Sequence, residues 1–187
     1  MFDKLVSLDV QLFVYLNGLG SESYDGLWLF ITKQINWIPL FLFLLYVIFK
    51  KLGAKQTLCV ILSIAILILI TDQFTNLVKY SVHRLRPCNN PDIHSIIRIV
   101  KSSNSFSFFS GHAANSMAAA TFLYHLIKPY FKYTFLLFLW PLIFAYSRIY
   151  LSLHYPLDIL SGYLFGILTG LFVFRIYQFT QIKYFPL

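Results

Sequence analysis

Long apolar runs separated by short polar connections dominate this chain. Five of them reach or approach the roughly 20 residues that a bilayer span requires: 27–49, 57–78, 111–127, 133–150 and 156–174. Ahead of these runs, Leu5, Leu8, Leu12 and Leu16 recur at helical spacing between Lys4 and Asn17, with Ser7 and Gln11 on another face. That pattern predicts a helix lying in the membrane interface within residues 1–20, ended by Asn17-Gly18-Leu19-Gly20. The one long connection, 88–109, is rich in Asn and Ser and reads as an extracytoplasmic loop. No repeat, low-complexity tract or linker divides residues 1–187. The expected fold is therefore a single all-α domain, a polytopic transmembrane bundle of about five spans plus the interfacial helix.

Composition agrees, with 58% hydrophobic against 12% charged residues, beyond what soluble domains carry. A formal charge of +8 would fit nucleic acid, but the basic residues form no run and sit in short connections. Membrane orientation accounts for them instead. Lys50, Lys51 and Lys55 follow the first span, Lys128 and Lys132 the third, and Arg175 and Lys183 the fifth. All mark one side, which the excess of positive charge makes cytoplasmic. The seven acids fall in or near segments threaded to the opposite side. The expected partners are thus a bilayer and a lipid, with no nucleic acid and no mark of oligomeric state. Cys59 and Cys88 lie near opposite ends of a long helix, which excludes a disulfide between them. Residues 1–20, interrupted by Asp3, Lys4, Asp9 and Gln11, lack the apolar core of a cleavable signal.

Three polar clusters break the apolar pattern where polarity is expensive. Asp72, Asn76, Lys79, His83 and Arg86 follow at steps of four, three, four and three, one polar face on an otherwise aliphatic helix. Lys79 and Arg86, two turns apart with Pro87 closing the helix, suit a phosphate; a plain packing network is the alternative for Asp72 and Asn76. Ser110-Gly111-His112 opens the third span with a capping residue, a close-approach glycine and outward amides, an anion site or an ordinary cap. Ser147-Arg148 is followed by His154 and Asp158, and Pro156 sets the start of the last helix. Asp158 in its first turn can reach back to His154, fix the ring tautomer and leave the other nitrogen free to attack. The second span ends, the third begins and the fourth turns into the fifth on one membrane side, so the clusters meet there.

In this order the residues resemble the type 2 phosphatidic acid phosphatase superfamily, whose motifs read Lys-x6-Arg-Pro, Pro-Ser-Gly-His and Ser-Arg-x5-His-x3-Asp. They stand here as Lys79 to Pro87, Phe109 to His112 and Ser147 to Asp158, with Phe109 in place of the proline. The resemblance implies a haloperoxidase-like helical core in which His154 attacks phosphorus, Asp158 orients it and His112 protonates the leaving oxygen. Lys79, Arg86, Ser110, Gly111 and Arg148 would hold the phosphoryl oxygens, with Asp72 and His83 behind them. Such chemistry asks mainly for positioning and positive charge, and a neutral nucleophile beside a protonated acid gives a bell-shaped pH profile. No cofactor and no metal are expected, since no compact ligand motif is present and the neighbouring cations would repel a divalent ion.

The expected activity is a lipid phosphatase in a bacterial inner membrane, its site facing the periplasm or exterior. Undecaprenyl diphosphate is the first substrate to consider, with lipid A and phosphatidylglycerophosphate as alternatives that share the chemistry. Loop 88–109 is the expected place of headgroup selection, although Arg98 and Lys101 within it read as ordinary basic residues at the lipid surface. A non-catalytic lipid carrier or scramblase is the competing class. Binding alone, however, needs cations and not the set His112, His154 and Asp158.

Overall fold

A computed structural model describes residues 2–184, with side-chain surroundings for 3–183, and every regular element among them is helical. The α-helices are α1 (Phe2–Gly18), α2 (Asp25–Ile31), α3 (Ile38–Val82), α4 (Gly111–Ile127), α5 (Leu139–Tyr150) and α6 (Pro156–Tyr184). Helix α4 runs over the residues predicted for the third span, because the Ser110 side chain caps it by accepting from the Ala113 amide. The first predicted span starts later than residue 27. Asn36 Nδ2 and Trp37 Nε1 donate to the Phe30 and Ile31 carbonyls, closing α2, and Pro39 then suits the first turn of α3.

Helix α3 holds both the first and the second predicted spans, broken at Gly53, whose φ of +78° is a conformation that side chains disfavour. Trp37 and Asp72, which a straight helix would hold roughly 50 Å apart, line the same cavity, so the two arms fold back on each other. Two helical stretches among the described residues are long and apolar enough to cross a membrane, Gln34–Asn89 and Pro156–Lys183, while Thr134–Tyr150 is shorter. Only 22% of the apolar window in the first is buried, so these side chains point outward, the reverse of a soluble core helix.

Helix α1 turns Leu5, Leu8 and Leu12 outward. Its inner face is less expected, for Asp9 and Asn17 are buried there on either side of Phe13. Helix α4 sits centrally, packed on α3, α5 and α6. Against α6 it meets Gly162, Gly166 and Gly170. A Cβ at these positions would lie 2.7, 2.5 and 2.6 Å from the carbonyl oxygens of Ser110, Ala114 and Ala118, so the two backbones touch. On its other side Asn115, Ser116, Ala119 and Leu123 face a cavity of about 440 Å³ shared with both arms of α3 and with Trp140 and Phe144 of α5.

Candidate active site

The turn from α5 to α6 carries His154 and is buried throughout. The amides of Leu153 and His154 both donate to the Arg148 carbonyl, at 2.9 and 3.3 Å, which pins the turn to the end of α5. Arg86 then grips it from outside: Nη1 donates to the Leu153 carbonyl at 2.7 Å and reaches His154 Nε2 at 3.1 Å. A guanidinium can only donate, so Nε2 carries a lone pair and the ring proton sits on Nδ1. Nδ1 faces Asp158 Oδ2 and Ser107 Oγ, each at 3.4 Å. Asp158 is itself fixed by the Ser107 hydroxyl and by the Tyr155 amide at 2.9 Å. Burial, and then Arg86, Arg148 and Lys79, hold the His154 pKa well below that of free imidazole, so the ring is neutral.

Cationic side chains and a helix start gather around the His154 ring. Arg148 is 6% exposed; its Nη1 donates to Thr32 Oγ1 at 2.6 Å while its buried Nε has no partner. An unpaired buried guanidinium donor is costly unless an oxyanion completes it. The first-turn amides of Gly111 and His112 are donors that a helix leaves unused. The Ser110 amide is committed to the Asp158 carbonyl at 3.0 Å, which ties the start of α4 to that of α6. Lys79, Arg86, Arg148 and His154 all lie close enough to His112 to interact with it electrostatically, and the His112 ring stacks on Phe144 at 5.2 Å. The three sequence clusters therefore converge. Three cations against the Asp158 carboxylate leave about two positive charges, the complement of a phosphate dianion.

Two expectations need correction. The stripe from Asp72 to Arg86 is not one helical face, because α3 ends at Val82, His83 takes a left-handed φ of 53°, and Arg86 lies on extended backbone. A spacing of seven brings Lys79 and Arg86 together around a turn as well as along a helix. His83 accordingly does not sit behind the site: it is exposed, with its ring against Phe106 at 4.6 Å. Asp72 accepts from Asn115 Nδ2 at 2.7 Å and lines the apolar cavity. Arg98 is paired with Asp25 at 3.0 and 3.1 Å, anchoring loop 88–109 to α2. Phe109 is buried against Phe165 and Phe74, and its turn is shaped by bonds from the Ser107 amide to the Arg84 carbonyl and from Ser110 to Asp158.

Ser107, Thr32, Arg84 and Asp9 were not singled out by motif or spacing. For Asp9 a signal existed: Asp9, Phe13 and Asn17 recur at steps of four on the face beside the leucine stripe, a polar-edged face that needs buried partners. Thr32 and Ser107 carried none. Among the described residues no group of three or more His, Cys, Asp or Glu is arranged to hold a metal ion.

The PAP2 superfamily pattern matches residues 56–182, which take in Lys79, Arg84, Arg86, Ser107, His112, Arg148, His154 and Asp158 but not Asp9 or Thr32. The chain belongs to the PAP2 superfamily. Its PAP2 relatives are hydrolases acting on phosphoester bonds of membrane lipids. A lipid A 4′-phosphatase of Bacteroides thetaiotaomicron is 36% identical over 186 residues, 96% of this chain and 82% of that protein. One from Porphyromonas gingivalis is 27% identical over 97% of this chain and 78% of its own length. An undecaprenyl-diphosphatase of Sulfolobus acidocaldarius is 30% identical over 88% and 76%. Among solved PAP2 structures, the phosphatidylglycerolphosphate phosphatase of Bacillus subtilis superposes with a TM-score of 0.74 at 18% identity, covering 98% of this chain and 90% of its own. Aquifex aeolicus LpxE gives 0.66 at 24% identity, covering 90% and 95%. At those identities the two structures speak for the fold alone.

Proposed function

We propose that the protein removes the 4′-phosphate of lipid A at the outer face of a bacterial inner membrane, through a phosphohistidine on His154. The observation that carries the chemistry is the contact of Arg86 with Nε2 of a neutral imidazole whose other nitrogen faces Asp158. In the substrate, likeness to two lipid A 4′-phosphatases over nearly the whole chain weighs more than the 30% identity to an undecaprenyl-diphosphatase. Lipid A thus takes precedence over undecaprenyl diphosphate, the first expectation from the motifs.

Nε2 attacks phosphorus in line with the ester oxygen. The P–O bond breaks, its electron pair stays on the sugar oxygen, and His112 supplies the proton. Asp158 balances the imidazolium that forms. Water then gives a proton to His112 and attacks the phosphohistidine, releasing Nε2 with its pair and inorganic phosphate. Arg148, Lys79, Arg86, Ser110 and the amides of Gly111 and His112 hold the equatorial oxygens. The apolar cavity, which reaches the His112 ring through Phe144, takes an acyl chain and leaves the headgroup at the histidines. The positive charge of the connections after the first, third and fifth apolar runs supports a periplasmic headgroup, since such charge favours the cytoplasm.

A phosphate-release panel tests this with purified protein and four substrates: lipid A bearing the 4′-phosphate, lipid A lacking it, undecaprenyl diphosphate and phosphatidylglycerophosphate. The first is expected to turn over fastest, and His154→Ala to release nothing and trap no phosphoenzyme. Preference for the diphosphate would overturn the substrate. Hydrolysis retained by His154→Ala would overturn the mechanism. No release from any of the four would leave a lipid carrier.

A further inference from the structure

Arg84 stands inside the gap between Lys79 and Arg86, where the motif asks for no particular residue. Both of its bonds go to carboxylates. Nη1 donates to Asp158 Oδ1 at 2.7 Å and Nη2 to Asp9 Oδ2 at 2.6 Å, with the guanidinium lying 4.0 Å over the Tyr155 ring. The other Asp9 oxygen accepts from the Leu157 amide at 2.8 Å, so α1 holds the first turn of α6 directly as well. On Asp158 the labour is divided: Oδ2 receives Ser107, the Tyr155 amide and His154, whereas Oδ1 receives Arg84. The two carboxylates are almost wholly buried, with side chains 1% and 0% exposed, and Arg84 is the cation between them.

We propose that Arg84 and Asp9 are positioning residues, through which the N-terminal helix fixes the orientation of Asp158 and hence the tautomer and aim of His154. The inference rests on His154 attacking phosphorus. Without Arg84, two buried carboxylates face each other across a gap with no cation, and one of them must take up a proton or turn away. Asp158 then either loses its full negative charge or loses the bond that holds Oδ1, and Oδ2 faces the imidazole with less charge or less fixed aim. Without Asp9 the guanidinium, 20% exposed at its side chain, loses the partner that keeps it directed at Oδ1. Lysine at 84 would restore charge but reach one carboxylate only.

The test is a double-mutant cycle on full-length protein in detergent, with steady-state kinetics on the lipid substrate and melting curves for every variant. Arg84→Gln is expected to lower kcat by about 10–100-fold, the scale on which partners that orient a reactive group usually act. KM should stay within about twofold, with Arg84→Lys intermediate and Asp9→Asn milder than Arg84→Gln. In an Asp158→Asn background, Arg84→Gln should cost less than about another twofold, because the connection is already severed. An equal loss in both backgrounds, or an effect confined to KM, overturns the proposal. Should Arg84→Gln fail to fold, the isosteric Asp9→Asn answers through the same cycle: a kcat loss that vanishes beside Asp158→Asn supports the proposal, and an additive one refutes it. Wild-type rates in Asp158→Asn alone would instead sink the mechanism on which it rests.

Discussion

Toward α6, helix α4 presents Ser110, Ala114 and Ala118 to three glycines so closely that no Cβ fits between them. Toward α3 and α5, the same helix presents Asn115, Ser116, Ala119 and Leu123 to an apolar cavity of about 440 Å³. The first interface joins the element bearing Ser110, Gly111 and His112 to the one bearing Asp158, and it ends at the bond from the Ser110 amide to the Asp158 carbonyl. The second is lined by Trp37, Phe41, Trp140 and Phe144, large rings at the edge of open space. On the proposed function, one side sets distances between reacting groups and the other leaves room for a guest. Within a bilayer, where apolar burial gives helices little reason to associate, backbone contact is the way to fix such a distance.

The comparison breaks most visibly at the glycines. Gly166→Leu should abolish the folded protein, and Gly166→Ala, whose Cβ would sit 2.5 Å from a backbone oxygen, should destabilise by about 1–3 kcal/mol in detergent melting curves. A wild-type melt for Gly166→Ala would show that the seam is looser than described. Gly162→Ala pushes on the Ser110 carbonyl at the catalytic end, so its effect should fall on kcat, on the order of 100-fold for a displacement near 1 Å. Ala119→Phe should instead leave stability almost unchanged while lowering kcat/KM for a long-chain lipid by about tenfold and sparing a short water-soluble phosphoester. Equal losses on both substrates would mean that the cavity does not receive the chain.

The smallest effect concerns pH. On the proposed mechanism His154 attacks as a neutral ring, and burial with Arg86, Arg148 and Lys79 lowers its pKa. The acid limb of kcat/KM should therefore lie below the ordinary imidazole range, and Arg148→Gln should move what activity is left to a higher limb, since one repelling charge is gone. A limb in Arg148→Gln that stays put would show that burial alone sets it.

Much of the site could be read from the chain because its groups come in short local sets: Ser110 to His112 at the start of α4, and Arg148 to Asp158 across the turn from α5 to α6. The rest depends on where helices stop and return. The interval from Lys79 to Arg86 looks helical in sequence, yet α3 ends at Val82 and the chain turns before Arg86. Asp9 and Thr32 reach the site from elements distant along the chain, and nothing local in either marks the partner. Gly162, Gly166 and Gly170 recur at steps of four, but only the structure shows that they meet α4, and the size of the cavity follows from how Gly53 folds the arms of α3, a matter of one backbone angle.

Arg86 spends four of its five N–H donors on Ser105, Leu153 and His154. On the proposed mechanism, the nitrogen that must strike is stoppered by a group that also greets the incoming anion. Phosphoryl oxygens compete for that N–H and draw it off the ring, so the charge awaiting removal arms the atom that removes it. An uncharged headgroup exerts no such pull and meets an imidazole whose lone pair is already engaged, which makes the substrate its own trigger.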